Sequence, residues 1–422
     1  MLFLGLTAVL AFYVAWNLGA NDVANSMGTS VGSKAVTLRQ ALAIAGILEF
    51  TGAVLFGRNV SNTIATGVVD PTTFAADPHV LLLGMTSTLI ACGIWLQVAT
   101  TFGLPVASSH AVVGAIAGFG WLAAGTQAVD WRSLGIISIT WILTPAISGS
   151  VSALFYTLVY RWILTQPNPV QQLYEWIPWL SAVLVSVFSA IALPPIFRLP
   201  QFQAFPLPSH DLPLMVGAIA TASLTFITWN QLKTRTQPPT SGPQSPTPNP
   251  IENQLARFQL LSACFVAFAH GSNDVGNAVA PLAAIVYIHR TGSIPLSDFS
   301  VPTWILVLGG IGITAGLAVF GKNVIKTIGE GIIPLQPSAG FCAELATATT
   351  VLLASRLGLP ISTSHALVGA VVGIGLLQRG RSPDSSIQFG TLRQIALAWL
   401  VTIPAAAGLS IAIFTALQKL NL

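Results

Sequence analysis

The sequence predicts an all-α, polytopic membrane protein of about twelve membrane segments, arranged as two repeats with broken half-helices. Three observations predict it. Charged residues make up only 7% of the 422 residues, against about 25% in a soluble globular protein, and the mean hydropathy is +0.75. The apolar runs are each near the ~20 residues a helical span needs rather than ten-residue alternating stretches, which selects helices over a β-barrel. Three motifs of the first half recur, in the same order, in the second.

In chain order the apolar stretches fall near 2–20, 40–57, 80–101, 104–124, 133–162, 176–196 and 212–230, then near 258–288, 302–320, 338–357, 360–378 and 392–416. The first lacks a basic leader, and Asn17, Asn21 and Asp22 stand where a signal-peptide cleavage site belongs, so it reads as a membrane helix. Between the two sets, residues 233–253 are rich in proline and nearly free of apolar side chains. Such a segment cannot bury enough surface to fold and reads as a flexible polar linker. The flanking Lys233, Arg235 and Arg257 put it on the cytoplasmic side. The expected organisation is a first membrane unit over 1–230, a linker over 231–256 and a second unit over 257–422.

The repeat is explicit. GANDVANS at 19–26 matches GSNDVGNA at 271–278, FGRNVSNTI at 56–64 matches FGKNVIKTI at 320–328, and GLPVASSHAVVGAIAGFG at 103–120 matches GLPISTSHALVGAVVGIG at 358–375. Ordered matches containing Asn-Asp, Gly-Leu-Pro and Ser-His mark an internal duplication. That is the usual build of secondary transporters, with the site at the repeat interface.

On a helix, Asn21, Asp22 and Asn25 can turn their oxygens to one side, as can Asn273, Asp274 and Asn277. Carboxylate and carboxamide oxygens suit a small hard cation such as Na⁺, and an Asp in mid-membrane persists only where it is paired or functional. Gly19 and Gly271 would allow a helix break beside each motif. Pro105 and Pro360 interrupt long apolar runs, and a new half-helix is expected to start at each. Ser108 and Ser109 follow one, and Ser362, Thr363 and Ser364 the other. Free N–H groups, the positive dipole end and several hydroxyls make a site for an oxyanion, which two such half-helices could grip from opposite sides. The competing readings are structural: a polar knot between helices for the Asn-Asp motif, and capping with close packing for the hydroxyls.

His110 and His365 come next in the chain and read as hydrogen-bonding helix anchors rather than proton relays. Glu49 and Glu344 are acids deep in apolar runs, and they break the repeat. A cation-coupling or proton role and a buried ion pair with Arg58, Lys322 or Arg356 are both open for them. Cys92, Cys264 and Cys342 are single and unpaired in spacing, giving neither a disulfide framework nor a metal site. The net charge of +4 comes without a basic cluster, so no nucleic-acid partner is expected.

These residues resemble the inorganic phosphate transporter (PiT) family. GANDVAN at 19–25 and GSNDVGN at 271–277 are similar to its duplicated signature, and PVASSH at 105–110 and PISTSH at 360–365 to its Pro-Val-Ser-Thr-Thr-His-like segments. The resemblance implies an inverted-repeat bundle with two re-entrant hairpins, usually a homodimer in the cell membrane. The implied activity is symport of inorganic phosphate with Na⁺, favoured over H⁺, without a further cofactor and without enzymatic activity. By position, Asp22, Asn25, Asp274 and Asn277 would bind the cation. Ser108, Ser109, Ser362, Thr363 and Ser364, with Asn21 and Asn273, would lie at the phosphate, and Glu49 and Glu344 match acids tied to transport. Ala107 departs from the pattern, leaving its repeat partner Ser362 unmatched. Sulfate permeation on the same fold, an ion channel and an intramembrane hydrolase are the rival classes.

Overall fold

In a computed structural model the described residues are 2–103, 106–197, 211–235, 249–296, 299–331, 333, 335–381 and 387–420. Thirteen α-helices account for nearly all of them: α1 (Leu2–Gly32), α2 (Leu38–Gly67), α3 (Pro78–Thr101), α4 (Ser108–Ala124), α5 (Trp131–Val159), α6 (Pro169–Ile191), the short α7 (Leu193–Phe197), α8 (Asp211–Arg235), α9 (Pro250–Thr291), α10 (Thr303–Gly331), α11 (Pro337–Arg356), α12 (Thr363–Arg381) and α13 (Phe389–Lys419). Each of the twelve apolar stretches holds one long helix, and 176–196 also takes in the short α7. Nine of the helical segments are long and apolar enough to cross a membrane, as a polytopic membrane protein requires. Half of the proposed linker, residues 236–248, and Pro105 lie outside the described residues.

Local chemistry sets the helix starts. Proline occupies the first turn of α3, α6, α9 and α11, where its missing N–H costs nothing. Thr37 and Gln40 close a capping box on α2. Asp130 caps α5 by accepting from the Arg132 and Ser133 backbones, and the Ser133 N–H is the main reason its carboxyl stays below the usual carboxylate range.

Two expectations need correction. The helices do not break at Gly19 or Gly271, since α1 and α9 run unbroken through both motifs. The glycines serve close approach instead: a Cβ on Gly19 would strike the Ile313 backbone of α10, and one on Gly271 the Glu49 backbone of α2. Nor does α12 start at Pro360. It starts at Thr363, after an extended stretch, and α4 starts likewise at Ser108. The turns ahead of both are made by Gly103 (φ 63°) and Gly358 (φ 68°), whose left-handed backbone ends α3 and α11 as only glycine does readily.

Packing sorts the helices into two groups. In one, α1 lies along α10 and α2 along α9, with α1 against α9 and α2 against α10. In the other, α4 rests on α13 and α12 on α5. Both α4 and α12 therefore lean on a long helix from the other repeat. Between the groups stand α3, touching α1, α4, α9 and α13, and α11, touching α9, α5 and α12. The pair α6 and α8, which has no counterpart in the second repeat, sits to one side.

Candidate functional site

The polar residues of α1 and α9 are buried where the two groups meet. Asp22, Asp274, His270, Glu49 and Glu344 are all 2% exposed or less. Around Asp22 and Asp274 the hydrogen bonds run both within and between the repeats. The Asn25 amide donates to Asp22 (3.2 Å) and to the Ser364 hydroxyl at the start of α12 (3.4 Å). The Asn277 amide donates to the Ser108 hydroxyl at the start of α4 (3.2 Å). Thr363 donates to Asp274 (2.9 Å). The predicted cation residues and the predicted anion hydroxyls thus form one cluster.

What this cluster lacks is donors. Asp22 Oδ2, Asn25 Oδ1, Asp274 Oδ1 and Asn277 Oδ1 are buried and accept no hydrogen bond from the protein. Leaving one such group unmet costs about 1–3 kcal/mol. Carboxylate and carboxamide oxygens of this kind are a donor set for a small cation. On the other side, the N-terminal N–H groups of α4 and α12 and the partnerless Ser109 hydroxyl offer the opposite chemistry, suited to an oxyanion. Ser362 spends its hydroxyl locally, accepting from His365 N (3.3 Å) and donating to Ser364 (3.3 Å). Its repeat partner Ala107 supplies no such side-chain cap.

The remaining predicted residues fall around this centre. Asn21 donates to Thr100 near the end of α3 (3.3 Å). Asn273 donates to Ser355 and to the Leu359 carbonyl at the end of α11 (both 3.1 Å). Both asparagines thereby tie a long helix to a hairpin turn. Glu344 belongs to a separate cluster, where Thr29 (2.5 Å), Ser30 (2.7 Å), Ser262 (2.9 Å) and Gln259 (3.2 Å) all donate to its carboxylate. Neither acid takes the arginine pairing that stood open: Arg356 donates to the Ile191 carbonyl and Arg58 to Thr303. The Lys322 side chain lies outside the described residues.

Glu49 is joined to the centre by a residue that the sequence reasoning passed over. His270 bridges Glu49 Oε2 (Nδ1, 3.1 Å) and Asp274 Oδ2 (Nε2, 3.0 Å), and Ser26 donates to the other Glu49 oxygen (2.9 Å). One ligand atom each from Asp22, Asp274 and His270 lies within 4.8 Å of the others. A signal was present: His270 stands four residues before Asp274 on the same helix, where the first repeat has Leu18. The two acids and the histidine thus make the two halves of the centre chemically unequal.

The comparisons with known proteins point the same way. The sequence profile described as "Phosphate transporter family" matches residues 18–410. The chain is 41% identical to the inorganic phosphate transporter 2-1, chloroplastic, of Arabidopsis thaliana, over 96% of this chain and 70% of that protein. It is 39% identical to a putative phosphate permease of Haemophilus influenzae, over 98% and 96% of the two chains. A solved structure titled as the sodium-dependent phosphate transporter superposes with a TM-score of 0.87 at 36% identity, covering 99% of this chain and all of the other.

Proposed function

The chain belongs to the phosphate transporter family, and from that premise we propose that it moves inorganic phosphate across the membrane by symport with Na⁺. One observation carries the coupling: donor-starved oxygens of Asp22, Asn25, Asp274 and Asn277 lie beside the hydroxyl-bearing starts of α4 and α12. An anion brought next to two buried carboxylates is repelled, and the repulsion is strong at low dielectric. Cations seated on the oxygens remove it. The anion is then held poorly unless the cation binds first, which is the physical basis of the coupling. Phosphate would sit between the N-termini of α4 and α12, on backbone N–H groups and the hydroxyls of Ser108, Ser109, Thr363 and Ser364. Na⁺ suits the carboxamide-rich donor set better than a proton does, since an amide oxygen gains little from protonation at neutral pH. We take the working unit to be a homodimer in the cell membrane.

The test is labelled phosphate uptake into proteoliposomes, with a Na⁺ gradient and a proton gradient imposed separately, each with and without excess sulfate. Uptake driven by Na⁺ and indifferent to sulfate is the expected result. Uptake driven by protons alone would shift the coupling role to carboxylates. Abolition by sulfate would overturn phosphate as the preferred anion. Uptake that persists unsaturated without any cation gradient would point to a channel.

A further inference from the structure

Behind the hydroxyl-bearing starts of α4 and α12 runs a line of four packed rings. His110, next in the chain to Ser109, lies against Trp141 of α5 with ring centroids 3.9 Å apart, and against His365 at 4.8 Å. His365, next to Ser364, stacks on Trp399 of α13 at 3.6 Å and 19°. Two polar contacts cross between the repeats. The Trp141 indole N–H donates to the Pro360 carbonyl just ahead of α12 (3.1 Å), and His110 Nδ1 lies 3.3 Å from the Trp399 carbonyl. Both histidines are 5% exposed. The line therefore ties each helix start to the long helix of its own repeat by ring contact, and to the other repeat by a polar one.

Gly369 lets α12 approach the Pro145 carbonyl of α5, and Gly114 lets α4 approach Ile403 of α13; contacts of that kind fix each half-helix on its own support. The contact of His110 with His365 joins α4 directly to α12. Spacing matters because hydrogen bonds to an anion gripped from two sides hold only within ~2.7–3.2 Å. A shift of the helix starts by about one ångström would break the contacts on one side.

We propose that His110 and His365, clamped between Trp141 and Trp399, are positioning residues that act as packed rings. They set the separation of the α4 and α12 starts and thereby the affinity for the anion. The inference rests on the proposed anion site between those starts. It assigns the histidines a role by shape, which phenyl can replace and which a small side chain cannot.

The test compares His110→Phe/His365→Phe with His110→Ala/His365→Ala in Na⁺-driven phosphate uptake across phosphate concentrations. Losing one hydrogen bond to a charged ligand weakens binding about tenfold or more. The alanine pair is therefore expected to raise the half-saturation concentration by about that factor while the maximal rate changes by less than about twofold. The phenylalanine pair is expected to stay near the parent value. Trp399→Leu, which leaves both histidines in place, should follow the alanine pattern, and stands in for the alanine pair if that pair does not fold. A phenylalanine pair as impaired as the alanine pair would overturn the proposal, because the imidazole nitrogens would then carry the role. So would alanine variants with the parent half-saturation. A second readout does not depend on transport: spin labels at Trp121 on α4 and Leu376 on α12, both 57% exposed, in a background without native cysteines. The parent and the phenylalanine pair should give one narrow distance, and the alanine pair or Trp399→Leu a broadened one; an unbroadened distance sinks the proposal. If the parent takes up no phosphate under any gradient, the proposed function falls, and the label distance still decides the stack.

Discussion

Asp22 and Asp274 carry the sharpest expectation at the scale of single residues. Each keeps one oxygen without a protein donor, so Asp22→Asn or Asp274→Asn should remove cation binding and lower Na⁺-driven uptake by at least about tenfold, or ~1.4 kcal/mol. Expression and oligomeric state should hold. Retained uptake with the parent's Na⁺ dependence would remove these residues from the cation site. His270 makes a different prediction. Held between Glu49 and Asp274, it leaves two buried carboxylates uncompensated when replaced by Leu, at a cost of roughly 3–5 kcal/mol. Thermal unfolding of the purified protein should show a large loss for His270→Leu. Much of that loss should return in His270→Leu/Glu49→Gln, where one acid is neutralised; a double variant no better than the single would mean the two groups are not coupled.

Among the elements, the glycines at helix crossings are the most exposed to test. A Cβ on Gly271 meets the Glu49 backbone, whereas one on Gly5 meets nothing. Overpacking against backbone costs about 1–3 kcal/mol or more, so Gly271→Ala should lower the melting temperature markedly and Gly5→Ala should not. Equal melting temperatures would dissolve the crossing argument. These positions also show what was legible beforehand. All twelve long helices could be placed from apolar runs, because a membrane span is specified by local composition alone. Pro360 marked the start of α12 to within three residues. Gly19 and Gly271 were misread as helix breaks, since a missing Cβ serves a break and a close crossing equally well, and the neighbouring backbone that decides is remote in sequence. His270 escaped for a related reason. Its importance comes from Glu49, which lies 221 positions away and touches it only once α2 and α9 are packed together.

The whole molecule is two halves that cannot be taken apart. Asn25 of the first reaches Ser364 of the second, and Asn277 of the second reaches Ser108 of the first. Double-mutant cycles on these two pairs should return couplings of about 0.6 kcal/mol or somewhat more, as for interhelical hydrogen bonds in bilayers. The covalent link between the halves matters far less than the interlock. Cleavage at a protease site placed between residues 236 and 248 should leave uptake intact, and residues 1–235 expressed alone should be degraded unless residues 249–422 are supplied in the same cell. The resting of α4 on α13 also has a consequence for biosynthesis. With 17 residues at ~1.5 Å each, α4 is shorter than the ~30 Å hydrocarbon layer, and its serines make it a poor guest in lipid. Its support, α13, begins about 265 residues later in the chain, which at ~5–20 residues per second is a delay of roughly 13–50 s. For that interval the first hairpin has to be sheltered by the insertion machinery or by its own nascent neighbours. This makes the newly made first half the stage at which quality control can recognise a defective chain.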